Sequence, residues 1–415
     1  MKRKLASLKY FILILIASLS VGTISVASFP LPLEIIEYTN LRVDHSPIEI
    51  HNNTDFLLQK STNGWNGTGV LDNPIIISDY RINCTQIGIS IEDVDLYFMI
   101  VNCETSNYEY QYSNSIGIKI RNCTHGVIGE SVANLKEIGI LVENSNNMSL
   151  YHSVIHDCST GMVIFNSTDF IIAHNNLSFN QNTGLVLNRT ARCWADNNII
   201  LELPDYGIFC VVDNFTSLTD NQVSSTSLAD NQFSHIGIVS LVSWNLLIDG
   251  TIIGYCVVGI NLLATRDSVV QRSSISDCTV YGLYAENDSM NLTIVENEFQ
   301  STASTNAYDD GAENIWNGNY WSDYSGTGYY YILGSAKSVD YNPRGPTTQT
   351  SPPVSTTTSP SQTSSIPPQI STTIPRPPSS TGSGFHPNTL LIREIILIGI
   401  FLEIVIILII LSKRK

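Results

Sequence analysis

Two adjacent carboxylates, Asp309 and Asp310, and two histidines four residues apart, His152 and His156, are the residues best suited to acid–base chemistry. Asp157 and Asp277 join them, each directly before a cysteine. Cleaving or epimerising a polysaccharide takes paired carboxylates, or a base beside a bound cation. Asp309 and Asp310 would point to opposite sides of an extended chain. Asp157 and Asp277 occupy a column where a turn explains them. His152 and His156 lack the carboxylate context of an epimerase-type site, and no Asp/Asp-Asp/His-Gly constellation of the pectin hydrolases is present. A solvated turn is the better reading for each, so no residue receives a catalytic, cofactor or metal role. Calcium has no clear motif to hold it.

The eight cysteines form neither a CxxC nor a Cys/His cluster, which argues against structural zinc. Cys256 and Cys278 lie one repeat apart. Stacking would bring their Cα atoms to about 5 Å, within disulfide range. A disulfide and an unbridged cysteine ladder both fit that spacing. Asn-X-Ser/Thr acceptor sites occur at Asn52, Asn66, Asn83, Asn122, Asn147, Asn166, Asn176, Asn188, Asn214, Asn287 and Asn291. Most fall in or beside turns, and some are expected to carry glycan.

The elements that position these residues repeat. Glycines at 88, 117, 139, 161, 184, 207, 237, 259 and 282 each open a short apolar run, with gaps of 29, 22, 22, 23, 23, 30, 22 and 23 residues. A fixed period near 22 without helical patterning points to a solenoid. Apolar side chains recur one, three, eleven and sixteen residues after the glycine, as at Ile140, Val142, Leu150 and Ile155. The two-residue spacing predicts half-buried strands. Ile140, Ile164, Leu262 and Val270 should therefore face the core. Ser153, Asn175 and Ser273 share one turn position, and Asn144 and Asn166 another. Stacked turns of this kind can form hydrogen-bonded ladders. The expected fold is all-β, a right-handed parallel β-helix of about ten rungs over residues 70–306, after a lead-in or cap over 28–69. Two gaps are long. One holds the polar aromatic stretch from Asn107 to Tyr112, the other a ten-residue duplication running from Ser217 to Ile236. A tolerated surface insertion outweighs a binding loop in each.

The ends fix a compartment. Lys2, Arg3, Lys4 and Lys9 precede the apolar run Tyr10 to Val21, and small residues follow at Ser25-Val26-Ala27, which reads as a signal peptide over 1–27. Residues 344–388, rich in Pro, Ser and Thr, read as an extended stalk. Residues 389–412 are long and apolar enough for a transmembrane helix, and the basic tail 413–415 places the C-terminus in the cytoplasm. Arg393 and Glu394 would lie in the interface, and Glu403 near mid-membrane. Residues 28–343 carry 11 Lys and Arg against 35 Asp and Glu, a balance of −24. So acidic a body repels nucleic acid, and repels anionic polysaccharide unless cations bridge the contact.

Residues 307–343 carry an aromatic segment, Asn314-Ile-Trp316-Asn-Gly-Asn-Tyr320-Trp321-Ser-Asp-Tyr324. Together with the repeats, it resembles the terminal segment of NosD-like β-helix proteins and their carbohydrate-binding and sugar-hydrolase type repeats, over about residues 70–343. That family usually continues with an Asp- and Gly-rich stretch suited to a cation. Here Thr327-Gly-Tyr-Tyr-Tyr331 stands instead, and only Asp340-Tyr-Asn-Pro343 echoes the family's close. Trp316, Tyr320, Trp321 and Tyr324 read first as a cap over the open end of the coil. The five methionines and eight histidines are scattered, not clustered as copper would require. The expected protein is a membrane-anchored, archaeal-type surface glycoprotein with a non-catalytic β-helix. It would serve adhesion, glycan binding or envelope structure, with extracellular glycans or envelope components as partners and no nucleic acid. The alternative is a polysaccharide-active enzyme of the lyase, epimerase or glycoside hydrolase type. A NosD-like metal-maturation factor is third.

Overall fold

The computed structural model describes residues 42–346, apart from 110–113, 203–204, 225–234 and 301–304. The expected signal peptide, nearly all of the stalk, the transmembrane helix with Arg393, Glu394 and Glu403, and the basic tail lie outside the described residues. So do parts of both long insertions. The chain divides into Met1–Gln349 and Thr350–Lys415, and every described residue belongs to the first unit. Among the described residues, no helix is long and apolar enough to cross a membrane.

Each turn of the chain lays down three short strands, one on each side of a coil. An 11-stranded sheet runs from Ile48–Ile50 to Thr305–Asp309, and a 13-stranded sheet starts at Ile75–Ser78. The third side comprises a 5-stranded and a 6-stranded sheet. Bridges from Val154 to Asn176 and from Asn176 to Ile199 connect those two pieces. Among the described residues, neighbouring rungs pair in parallel, while Tyr330–Tyr331 runs antiparallel to Val339–Asp340 and isolated antiparallel bridges join Asn66 to Ile76 and Val70 to Asn73. The result is a right-handed parallel β-solenoid of about eleven turns, one more than the repeats suggested.

The register stacks like on like. Ile118, Ile140, Met162, Leu185, Ile208, Ile238, Ile260 and Leu283 form one continuous inward column. Ile140, Ile164, Leu262 and Val270 are all buried in the core, as expected. The repeating glycine is explained by crowding. A Cβ on Gly139 would come 2.2 Å from the Ile155 side chain and 2.7 Å from the Gly161 carbonyl oxygen of the next rung.

In the 11-stranded sheet the expected half-buried alternation holds for strands such as Ile116–Arg121 and Thr160–Phe165, and fails for others. Ile138–Glu143 and Thr183–Asn188 are buried at every position, so Leu141 and Val186 are enclosed although they point away from the core. The outward positions of these strands carry Leu141 and Val186 beside Glu143 and Asn188, so apolar residues stand on consecutive positions at their centres. Alternation survives on the third side, where Ser274–Ser276 buries only its central residue.

Polar ladders close the turns. The backbone N–H of Ser131 donates to Ser153 Oγ at 3.3 Å and that of Ser153 to Asn175 Oδ1 at 3.0 Å. Asn175 N–H continues to Asn198 Oδ1 and Asn198 N–H to Asn221 Oδ1, both at 3.0 Å. Further along, Ser273 N–H reaches Asn297 Oδ1 and Asn297 N–H reaches Asn319 Oδ1, again at 3.0 Å. Asp340 terminates the column, its Oδ2 accepting from Asn319 N–H at 2.9 Å. These groups are buried, where an unmet donor costs about 1–3 kcal/mol. The turn columns nearer the surface are left-handed, and there Asn166 Nδ2 donates to Asn144 Oδ1 at 2.7 Å, as the shared spacing of those two amides implied. Asn144, Asn166, Asp157 and Asp277 have φ of 49°, 48°, 54° and 53°, a conformation that Asn and Asp tolerate best.

Each end of the coil is covered. At the start, helix α1 (Asn53–Asn63) is capped by Asn52, whose side chain accepts from Asp55 N–H at 3.0 Å, and it closes at Gly64 with φ 68°. It buries Phe56 against Trp65 and Phe98. At the far end, Trp316 and Trp321 fill the last rung.

Candidate functional site

The carboxylates that could have done chemistry are engaged in holding the fold. Asp309 is buried: its Oδ1 accepts from Gly311 N–H and Asn314 Nδ2, both at 2.9 Å. Its Oδ2 accepts from Trp316 Nε1 at 2.8 Å and Ser338 Oγ at 2.7 Å. Asp310 accepts instead from Ser335 N–H at 2.7 Å and contacts the Tyr284 hydroxyl at 3.4 Å. Asp340 takes donors from Gly318, Asn319, Asn342 and Trp321. His156 Nδ1 lies 2.6 Å from Asp157, while His152 stacks on His174 with centroids 5.1 Å apart. Burial lowers the His152 pKa, reinforced by its like neighbour His174. Asp157 and Asp277 stand five rungs apart, about 24 Å along the axis, so they share no substrate-sized site.

One buried acid escaped the sequence reading. Asp213 occupies the turn position held by Ser145, Ser167, Thr190 and Ser243 in neighbouring rungs. Its Oδ1 accepts from both the N–H and the hydroxyl of Thr190 at 2.9 Å. Among the described residues, Oδ2 has no hydrogen-bond partner. Burial pushes this carboxyl up to about 8. The signal was available: one acid breaking a column of serines and threonines.

The concave feature with an unsaturated chemistry lies at the C-terminal end. Trp321 is sandwiched between Phe299, 4.6 Å away at 12°, and Tyr330, 4.0 Å away at 9°. Over that stack sits a pocket of about 460 Å³ lined by Thr305, Asn306, Asp323, Tyr324, Tyr330 and Tyr331, among others. The Tyr330 hydroxyl donates to Asp323 at 3.1 Å, and Asn306 Nδ2 donates to Asp323 Oδ1 at 2.7 Å. Tyr324 is fixed through its hydroxyl to the Gly328 carbonyl at 2.6 Å. Tyr329 and Tyr331, both lining residues, remain 55% and 71% exposed. Rigid aromatic faces beside a carboxylate suit a ligand with apolar and hydroxylated sides. The aromatic segment thus divides: Trp316 and Trp321 are core, Tyr320 and Tyr324 are half-buried, and Tyr324 borders the pocket.

A second hollow of about 590 Å³ at the N-terminal end is lined by Asp44, His45, Arg81, Asn83, Glu104 and Tyr108. Glu104 is bound there by Arg42 at 2.8 Å and Arg81 at 3.4 Å. Although burial opposes it, those two guanidinium groups hold the carboxyl below its ordinary range. Its charges are spent on one another. Isolated outward aromatics do not assemble a platform either. Trp194 and Tyr255 are exposed but project from different sides of the coil. Tyr281 is only 7% exposed, because it packs against Tyr284 and Tyr308.

Of the eleven glycan acceptor positions, Asn52, Asn66, Asn83, Asn122, Asn147, Asn166, Asn287 and Asn291 are exposed. Asn176 and Asn214 are half-buried, and Asn188 is 8% exposed. All eight cysteines are thiols, and all but Cys84 are buried. The pairing of Ile253 with Ile275 sets Cys256 over Cys278. Each of these two thiols faces a carbonyl of its own turn, Gly254 at 3.2 Å and Ser276 at 3.5 Å.

The sequence pattern of the family described as periplasmic copper-binding protein (NosD) matches residues 48–230 and, overlapping, 101–326. No curated protein matches the chain. Among solved structures, a periplasmic alginate epimerase is similar over 66% of this chain and 85% of its own, at 14% identity and a TM-score of 0.46. DFA-IIIase from Arthrobacter chlorophenolicus A6 covers 70% and 92%, at 11% identity and 0.46. The A-module of a mannuronan C-5 epimerase from Azotobacter vinelandii covers 58% and 80%, at 14% identity and 0.39. At these scores the likenesses carry no argument about chemistry. Copper, named in the family's description, would need clustered His, Cys or Met donors. Among the described residues, no three His, Cys, Asp or Glu come close enough to share an ion. Burial pushes the thiols of Cys103, Cys123 and Cys158 up to about 12, and Met99, Met148 and Met162 are sealed in the interior. This donor set does not fit copper. With its pattern matched across 48–326, which takes in nearly every rung described above, the chain belongs to the NosD family.

Proposed function

We propose that this protein is an exported, membrane-anchored β-helix glycoprotein that binds glycans without transforming them. The solenoid is the rigid spacer and the C-terminal pocket is the recognition site. The observation that carries the reading is the pocket itself, where exposed Tyr329 and Tyr331 flank Asp323 over the rigid Trp321–Tyr330 stack. Support also comes from the bonding of Asp309 and Asp340, whose oxygens serve the ends of the fold. The partners are extracellular glycans or envelope components. The C-terminal apolar segment holds the protein to the membrane, and the acidic body keeps nucleic acid away. Affinity per site would be weak and would gain from many anchored copies.

Glycan-array screening of the full chain, with and without calcium, tests this. Binding should be seen, and it should fall in Tyr331→Ala, whose exposed ring can be removed without disturbing the core. The enzyme reading requires that pectate or alginate be depolymerised or epimerised. Release of unsaturated oligosaccharides that disappears in Asp310→Ala would install that reading in place of this one.

A further inference from the structure

The charge around the C-terminal pocket is one-sided. Among the described residues, Asp323 is the only charged side chain lining it, and no lysine, arginine or histidine borders it. Asp323 already accepts from Asn306 and Tyr330, yet a carboxylate offers about four lone-pair sites. It can therefore take further hydroxyl donors from solvent or ligand. Tyr329 is held edge-on by Tyr341, with centroids 5.1 Å apart at 72°, and Tyr331 stands free beside it. A hexopyranose presents a C–H face that stacks on such rings and a rim of hydroxyl donors.

Resting on the reading of this pocket as a glycan site, we infer that its ligand class is the uncharged hexopyranose oligosaccharide. The sugar's C–H face lies on Tyr329 and Tyr331, and adjacent hydroxyls donate to Asp323. Uronic-acid and sulfated chains are excluded. A second carboxylate within about 4 Å of Asp323 would meet repulsion with no cation to offset it, in a body whose balance is already −24. That repulsion is worth about tenfold in affinity or more.

The experiment uses the full chain in detergent, with mannotriose, cellotriose and trigalacturonate as probes, and binding read by titration calorimetry or ligand-observed NMR. At least one neutral trisaccharide should bind in the millimolar range and trigalacturonate should not. Tyr331→Ala should weaken the neutral ligand about tenfold, with an unchanged melting profile. Asp323→Asn should admit trigalacturonate. Equal binding of trigalacturonate and the neutral sugars to the wild type, lost in Tyr331→Ala, would overturn the charge argument while leaving a glycan pocket standing. Rejection of trigalacturonate that persists in Asp323→Asn would remove Asp323 from the selectivity. If no probe binds at about 10 mM, or if binding ignores Tyr331→Ala, the pocket is not the glycan site.

Discussion

Replacing Asp213 by serine should make the protein more stable in base and leave it nearly unchanged in acid. Ser243, in the same turn column, already shows that a hydroxyl fits: its Oγ accepts from the N–H of Asp213 at 3.3 Å. A serine at 213 keeps an acceptor for Thr190 N–H and removes a buried carboxyl. Burial pushes the folded-state carboxyl up to about 8, from an ordinary value of 3.8. Below about pH 4 the folded and unfolded chains both hold this proton, so the group then imposes no ionisation penalty. As pH rises from about 4 to about 8, the unfolded chain has released the proton while the folded one keeps it. Stability therefore falls across that window and flattens above it. Four units at about 1.4 kcal/mol each bound the loss at roughly 5–6 kcal/mol. The assay is urea unfolding of wild type and Asp213→Ser at pH 4, 6 and 8.5, followed by circular dichroism. Their stability difference should grow by several kcal/mol in favour of the variant, which cancels pH effects from other groups. Parallel pH profiles for the two proteins would refute the reasoning, because the carboxyl would then be ionised at no cost inside the coil.

Ile140→Asp places an unpaired charge between Ile118 and Met162. It should cost several kcal/mol and abolish the cooperative unfolding transition seen by circular dichroism. Asn198→Ala removes an acceptor for Asn175 N–H and a donor to the Ile172 carbonyl at 2.8 Å. A loss of about 3 kcal/mol in urea unfolding is expected, since both groups left behind are buried. Cys256 and Cys278 should join on mild oxidation, read as two fewer alkylated cysteines when the denatured protein is thiol-blocked without reduction. Failure to join under an oxidant that links exposed thiols would favour the unbridged ladder.

The interior was more legible than the surface, and the reason lies in what repeats. Ile140, Leu150 and Ile155 recur because each must stack on its equivalent one rung away, so periodicity alone locates the core. Ser153, Asn175 and Ser273 recur for the same reason, and the ladder they share forms as their spacing implied. The enclosure of Leu141 and Val186 could have been read from runs such as Gly139-Ile-Leu-Val142, which carry apolar residues on consecutive positions instead of alternate ones. The pocket could not be read this way. It forms where the repeat stops, when Tyr330–Tyr331 turns back antiparallel to Val339–Asp340 and carries Tyr330 onto Trp321. A return strand of that kind has no equivalent in any earlier rung, so no spacing announces it. The same logic separates Asp340 from Asp323, two carboxylates in one short segment. Asp340 sits at the ladder's next step and inherits the ladder's backbone donors, so its chemistry is spent on the fold. Asp323 lies beyond the last rung, bonded only by side chains and bordering open space. In a solenoid, a polar group in register with its neighbours is thus structural by default. Among the described residues, Asp323 and the tyrosines beside it are groups that both leave the period and border open space, and they lie at the C-terminal end.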